Sequence, residues 1–150
     1  MIGRTIKRLP LLGALLLLLS LPLRAEQFVD QGEYRVHYSA INSTLLTPEV
    51  ARRFNVTRTR GQALLVLNAQ QRDGEGRYQP VAAVAEGRAR SLIGHVEKLK
   101  LRPVREGDVH YVMAAFQILD AEFLTLELTV RPDGTSATIP LKFQQQFYRD

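Results

Sequence analysis

The chain has 150 residues and a formal charge of +5, from 20 basic and 15 acidic side chains, and it contains no cysteine. The missing cysteines exclude disulfide bonds, thiol catalysis and a lipoprotein anchor, because each of these needs a cysteine sulfur. Four basic residues and no acidic ones lie in the first 25 positions, so the remainder carries 16 basic against 15 acidic residues. The remainder of the chain therefore lacks the strong positive field that would attract nucleic acid, so we predict no nucleic-acid partner.

The amino-terminal segment has the pattern of a secretory signal peptide. Three basic residues precede the apolar stretch LLGALLLLLSLPL (11–23), and the small residue Ala25 precedes the polar Glu26. The apolar stretch is shorter than the about 20 residues that a membrane span needs. We therefore predict a leader over residues 1–25 and one domain over residues 26–150, which resides in the periplasm without membrane insertion after cleavage. An uncleaved anchor helix is the alternative.

Strand patterns recur along the rest of the chain. Residues 34–39 alternate apolar and polar, and residues 61–71 are apolar on both faces, as in a central strand. Pro140 cannot donate to a neighbouring strand, which predicts a strand start or a sheet edge there. The predicted strands cover residues 34–39, 61–71, 80–91, 95–104, 109–118, 123–130 and 138–148.

One short helix is predicted between the first two strands, in TPEVARRF (47–54). Thr47 is a favourable N-cap and Pro48 suits the first helical position, where no backbone N–H is needed. Val50 and Phe54 lie four residues apart on one face, so Phe54 is expected to dock on the sheets. A helix this short is marginal in water without such packing.

Seven strands separated by turn signals predict an all-β protein, an antiparallel two-sheet sandwich of immunoglobulin-like type with one short helix near residues 48–54. No long helices alternate with the strands, as a parallel sheet would require. A closed barrel is the alternative architecture.

The sequence predicts no catalytic residue, no metal site and no cofactor. The motifs of serine hydrolases, phosphate-binding loops, dinucleotide folds and zinc proteases do not occur. His37, His95 and His110 match the number of histidines in many catalytic zinc sites, but they are far apart in sequence. His37 and His110 each lie beside a tyrosine within a strand, so they would point to solvent if those tyrosines face the core.

The polar segment AINSTLLT (40–47) follows the first strand and is a candidate binding surface. Asn42, Ser43 and Thr44 offer donors and acceptors where the chain leaves a rigid scaffold, and such loops often carry binding. The alternative is that these side chains hydrogen-bond their own backbone as a turn.

The chain resembles a bacterial family of exported proteins known as domain of unknown function 4426. The resemblance covers almost the whole predicted domain and is carried by YRVHYSAINSTLLTPEVARRF (34–54), SLIGHVEKLKL (91–101), REGDVHYV (105–112) and FQQQFY (143–148). It implies periplasmic residence and a compact all-β domain, and it brings no established activity or cofactor.

The family pattern also bears on the candidate residues. It often has glutamine at the position of His95 and an aliphatic residue at that of His110, which weakens a three-histidine site. His37 and the segment Asn42, Ser43 and Thr44 match the family's form, so these four are the predicted binding residues.

These observations favour a periplasmic, non-enzymatic binding or assembly-accessory domain with an envelope protein or peptide as its partner. The partner would add a strand to the edge at residues 138–148 or bind the polar corner. A metal-assisted hydrolase built on the histidines is the alternative, and a structural module that holds a neighbour in place is a third possibility.

Overall fold

The computed structural model describes residues 27–149, and in this part of the chain ten strands form two antiparallel sheets. The predicted leader and its cleavage site lie outside the described residues. A 3-10 helix (Ser43–Leu45) and the α-helix α1 (Pro48–Arg53) lie between the second and third strands. The strands are β1 (Phe28–Gln31), β2 (Tyr34–Asn42), β3 (Gln62–Arg72), β4 (Tyr78–Pro80), β5 (Ala83–Ser91), β6 (Val96–Lys98), β7 (Arg102–Glu106), β8 (Val109–Gln117), β9 (Glu122–Pro132) and β10 (Ile139–Phe147).

The larger sheet has the order β1-β2-β3-β8-β7, with β4 also paired to β3, and the smaller sheet has the order β10-β9-β5-β6. The predicted all-β sandwich is therefore confirmed, and the closed barrel is not the architecture. Among the described strands β10 pairs only with β9, so Pro140 lies on an edge strand, as its missing N–H predicted.

The core lies between the inner faces of the two sheets. Alternation along each strand places one apolar set inward, because successive side chains point to opposite faces. Burial of each large aliphatic or aromatic side chain stabilises the fold by about 1.5–3 kcal/mol. The largest side chains that are fully buried are Phe116, Phe147, Leu65, Leu67, Ile118, Leu126, Ile139, Val36 and Val130.

The strand count is higher than the predicted seven for two reasons. The segment predicted as one strand, residues 95–104, divides into β6 in the smaller sheet and β7 in the larger one. Leu99 lies buried between them and its N–H bonds the Gly87 carbonyl 2.9 Å away. β1 and β4 are only four and three residues long, too short to show a clear alternation.

The predicted helix is confirmed and covers the outer face of the larger sheet. Thr47 Oγ1 accepts from the Val50 N–H at 3.2 Å and Pro48 begins the helix. Phe54 is half-buried against Tyr111, with the rings edge-to-face and their centroids 6.2 Å apart. Neither helix within residues 27–149 has the length and apolar character that a bilayer span requires.

Gly87 permits the close pairing of β5 with β9. A Cβ at this position would lie 2.5 Å from Leu128 Cδ2 and closer still to the Glu127 carbonyl oxygen. Real carbon atoms do not approach so closely, so any other residue would force the two strands apart. A glycine inside a strand often marks such an approach.

Candidate functional site: a cleft at one end of the sandwich

A cleft of about 430 Å³ opens between the two sheets at the end where β2, β8 and β10 finish and β3 and β9 begin. Its size is typical of pockets that hold a small molecule or a few side chains. Both sheets contribute to its wall, so the cleft depends on the whole fold. The lining residues are Thr59, Gly61, Gln62, Ala89, His95, Glu97, Gln117, Ile118, Leu119, Glu122, Leu124 and Arg149.

Hydrogen-bond acceptors line the polar side of this cleft. Gln62 Oε1 is buried and has no hydrogen-bond partner within the described part of the chain. Glu97 Oε2 accepts from the Gln117 N–H at 3.1 Å, and Glu122 Oε2 accepts from the Leu119 N–H at 3.0 Å. These two bonds orient the carboxylates, whereas Gln62 Oε1 has almost no accessible surface, so a group in the cleft would not reach it without movement of the Gln62 side chain.

The predicted polar corner supports the wall of the cleft from behind. Ser43 is fully buried, and its Oγ accepts from the Thr59 N–H and donates to the Thr59 carbonyl, both at 2.9 Å. Asn42 Nδ2 donates to the Tyr148 carbonyl at 2.6 Å, one residue before the lining residue Arg149. The Thr44 carbonyl accepts from Arg58 at 3.0 Å. Asn42 and Ser43 thus hold the chain that lines the cleft.

His37 lies apart from the corner. It is five residues before Asn42 on β2, a distance of about 16 Å along an extended strand. Its side chain is half-buried on the outer face, with Nε2 3.1 Å from Gln70 Oε1 and its ring centroid 5.7 Å from that of Phe28. The structure therefore does not join the four predicted binding residues into one site, and their role in binding stays a prediction.

The three histidines occupy three different surroundings. The side chain of His37 lies on the face opposite the core-facing Tyr34 and Val36, as predicted. His110 instead lies on the inner face of its strand. Tyr111 lies on the outer face under Phe54, so His110 shares the inward parity of Val112. The condition that the neighbouring tyrosine faces the core therefore holds for His37 and not for His110, because Phe54 at the end of α1 provides an apolar cover for Tyr111 on the outside of the sheet.

No three His, Asp or Glu side chains within residues 27–149 lie close enough together to hold a metal ion. The described residues therefore give no support to the alternative of a metal-assisted hydrolase built on the histidines.

Apolar side chains stand in solvent at the rim of the cleft. The turn after β5 exposes 72% of Leu92 and 90% of Ile93, three and two residues before the lining residue His95. This turn is held in shape because Ser91 Oγ accepts from the His95 N–H at 3.0 Å. Across the cleft, 56% of Leu119 is exposed. Exposed apolar residues that cluster beside a cavity commonly mark a binding surface.

Sequence reasoning missed this surface. The adjacent Leu92 and Ile93 before Gly94 were a usable signal, since two large apolar residues in a tight turn have no core to enter. Gln62 gave no such signal, because its unmatched oxygen appears only once the strands around it are in place.

Side-chain amides bridge the two sheets beside the predicted strand-addition edge. Gln145 on β10 donates to the Ala40 carbonyl on β2 at 2.9 Å, and Gln31 on β1 donates to the Thr138 carbonyl at 2.6 Å. Together with the Asn42–Tyr148 bond, these amides bridge the two sheets along β10. The carbonyls in these bonds belong to Ala40, Thr138 and Tyr148, outside β10, so the backbone groups with which an added strand would pair are not engaged by them and the edge stays a second candidate site.

Comparison with known proteins identifies the family and the fold. A family model described as "Domain of unknown function (DUF4426)" matches residues 28–150. A DUF4426 family protein from Pseudomonas aeruginosa PAO1 is 29% identical, with a TM-score of 0.72 over 85% of this chain and 98% of that chain. Among curated proteins no significant match is found.

Two structures of FetP from uropathogenic Escherichia coli strain F11 are similar in fold. The as-isolated protein, expressed in the periplasm, is 8% identical, with a TM-score of 0.60 over 83% of this chain and 94% of that chain. A copper-bound variant is also 8% identical, with a TM-score of 0.57 over 83% and 91%. At this identity the likeness concerns the fold alone.

Proposed function

The chain belongs to the DUF4426 family, and on that premise we propose that it is a non-enzymatic binding domain of the periplasm whose partner enters the end cleft. The observation that carries the proposal is the cavity between the two sheets, with Leu119 exposed at its wall and Leu92 and Ile93 exposed in the turn beside it. Apolar groups in water cost free energy, and a ligand that covers them would remove that cost.

The supporting details concern binding. Glu97 and Glu122 are each held by a backbone N–H, which fixes them as acceptors on the wall. The size of the opening and its apolar rim suit a segment of a polypeptide. We therefore propose an envelope protein or peptide as the partner.

The periplasmic location has two supports. The first 25 residues have the order of charges, apolar run and small residue that a signal peptidase substrate needs. FetP, which is similar in fold, is a protein that was expressed in the periplasm. Amino-terminal sequencing of the chain from an envelope fraction should begin at Glu26, and a product that begins at Met1 would contradict cleavage.

Site-specific photo-crosslinking in cells that export the full chain tests the binding site. A benzophenone amino acid at Ile93, which is 90% exposed, stands at the rim of the cleft. The control position is Val84, which is 46% exposed on the outer face of the smaller sheet and does not line the cleft. We expect a discrete crosslinked product from position 93 and none from position 84.

A blocking variant then links the product to the cleft. Thr59→Trp fills the opening while the Thr59 backbone bonds to Ser43 remain, and Thr57→Trp adds the same side chain at an exposed position outside the lining. The crosslink from position 93 should vanish in the first variant and persist in the second. A product that both variants retain would show that the partner binds elsewhere, and the absence of any product from position 93 would refute the proposal.

A further inference from the structure

The chemistry of the cleft wall defines the ligand more closely. Within the described residues, the lining carries two carboxylates, Glu97 and Glu122. One oxygen of each accepts from a backbone N–H, and the second oxygen of each keeps its capacity to accept from a ligand. A group that enters here meets acceptors and therefore needs several N–H donors.

The arginine of the lining is already engaged. Arg149 Nε donates to the Ile118 carbonyl at 3.2 Å, and its backbone N–H bonds Asp120 at 3.0 Å. Its guanidinium lies over Gly61, where a Cβ would be 3.3 Å from NH2. Arg149 thus forms part of the wall, and the two carboxylates together outweigh its single charge.

The rest of the lining is apolar and suits an aliphatic stem. Ile118, Leu124 and Ala89 are buried at the base, and Leu119 is half exposed at the mouth. A chain of methylene groups could lie along them while a charged head reaches the acceptors, the manner in which Lys and Arg side chains combine burial with charge. Outside the mouth, Leu92 and Ile93 offer contacts for apolar neighbours.

From these three features we infer that the cleft takes a lysine or arginine side chain of a polypeptide, flanked by apolar residues. This inference rests on the proposed function and names its ligand class. The cationic head bonds Glu97 and Glu122, the stem lies against Leu124, and the flanking residues cover the Leu92–Ile93 turn.

Replacing both glutamates with glutamine, which has nearly the same shape but no charge, isolates the electrostatic contribution to binding. In the double variant Glu97→Gln and Glu122→Gln, the side-chain amide oxygens can still accept from the Gln117 and Leu119 N–H groups, so the wall keeps its shape. Glu86→Gln is the matched control, because Glu86 pairs with Arg131 at 2.7 Å on the outer face and lies outside the cleft. Thermal unfolding followed by circular dichroism confirms that both variants fold.

The probes are three blocked tripeptides, Leu–Lys–Leu, Leu–Arg–Leu and Leu–Gln–Leu, titrated into the exported, ¹⁵N-labelled chain by NMR. The two basic peptides should shift the amide signals of Gln62, Glu97 and Leu119, and the glutamine peptide should bind about tenfold more weakly. The double variant should lose that preference and the Glu86→Gln control should keep it.

Each other outcome is decisive. Equal binding of the three peptides at the cleft would overturn the ligand class and leave the proposed binding site intact. Shifts confined to other surfaces, or no shifts with any peptide, would overturn the ligand class too. The proposed function itself is decided separately, by the crosslink from position 93 and its loss in Thr59→Trp.

Discussion

Replacing Ser43 with alanine removes a hydroxyl that is fully buried and makes two hydrogen bonds to the Thr59 backbone, each 2.9 Å long. A typical hydrogen bond contributes a net of about 0.5–1.5 kcal/mol, so the variant should lose about 1–3 kcal/mol of unfolding free energy. For about 120 ordered residues, a loss of 2 kcal/mol corresponds to a fall in Tm of about 8 °C. The loop that carries Thr59 should also become mobile at the mouth of the cleft.

The assay is urea unfolding of the exported chain, followed by circular dichroism, together with amide exchange at residues 56–61. Ser39→Ala is the matched control, since Ser39 lies on β2, which ends immediately before Ser43, and its exposed side chain should change stability by less than about 0.5 kcal/mol when truncated. The reasoning would be refuted if Ser43→Ala were as stable as the control and its loop exchanged no faster than in the parent chain.

Three further changes test other parts of the fold. Gly87→Ala should destabilise by about 1–3 kcal/mol, because the added Cβ meets Leu128 and the Glu127 carbonyl; a urea midpoint equal to that of the parent would contradict the close approach. Arg35→Ala should speed amide exchange in β1 and β4 and leave β3 unchanged, because Arg35 bonds Asp30 at 2.6 Å and lies 4.1 and 4.3 Å from the rings of Phe28 and Tyr78. Exchange rates in β1 and β4 equal to those of the parent would show that these contacts of Arg35 are not needed. The hydrogen bond from Arg88, and then the nearby Arg90 and Lys142, lower the pKa of Glu127. Ionised Glu127 therefore stabilises the fold at pH values above the ordinary glutamate pKa near 4.5, and this contribution is lost as the pH falls through the lowered pKa. Glu127→Gln should therefore be less stable than the parent at pH 7 and nearly equal to it near pH 2, and a constant difference in urea midpoint at both values would be inconsistent with this linkage.

Much of the fold follows from local patterns. The sequence pattern of residues 123–130 predicted β9, and the structure buries Leu124, Leu126 and Leu128 on its inner face. The N-cap Thr47 with Pro48 predicted α1 for the same reason, since both signals depend only on neighbouring backbone groups.

Features that depend on distant residues were not predictable in this way. The chain passes from the smaller sheet to the larger one at Leu99, but its pattern of apolar and polar residues does not change there. Residues 95–104 therefore appeared to be one strand. Tyr111 faces outward only because Phe54, far away in the sequence, covers it. The cleft likewise combines residues from Thr59 to Arg149, and no short segment contains its pattern.

The polar corner shows how a local pattern predicts a residue's importance more readily than its role. Asn42 and Ser43 were predicted to bind a partner directly, and the structure shows them bonded to Tyr148 and Thr59 beside the cleft. Their polarity reflects the demands of two backbone segments that converge at this end of the sandwich. Any contribution of Asn42 and Ser43 to binding would act by fixing the positions of those segments.

The end cleft as a binding surface is tested most directly by the hydrogen-exchange footprint of the exported chain with and without the polypeptide that crosslinks to position 93. Protection should appear in residues 59–62, 93–97 and 117–122, which surround the opening. Protection confined to β10, or none at any of these segments, would contradict it.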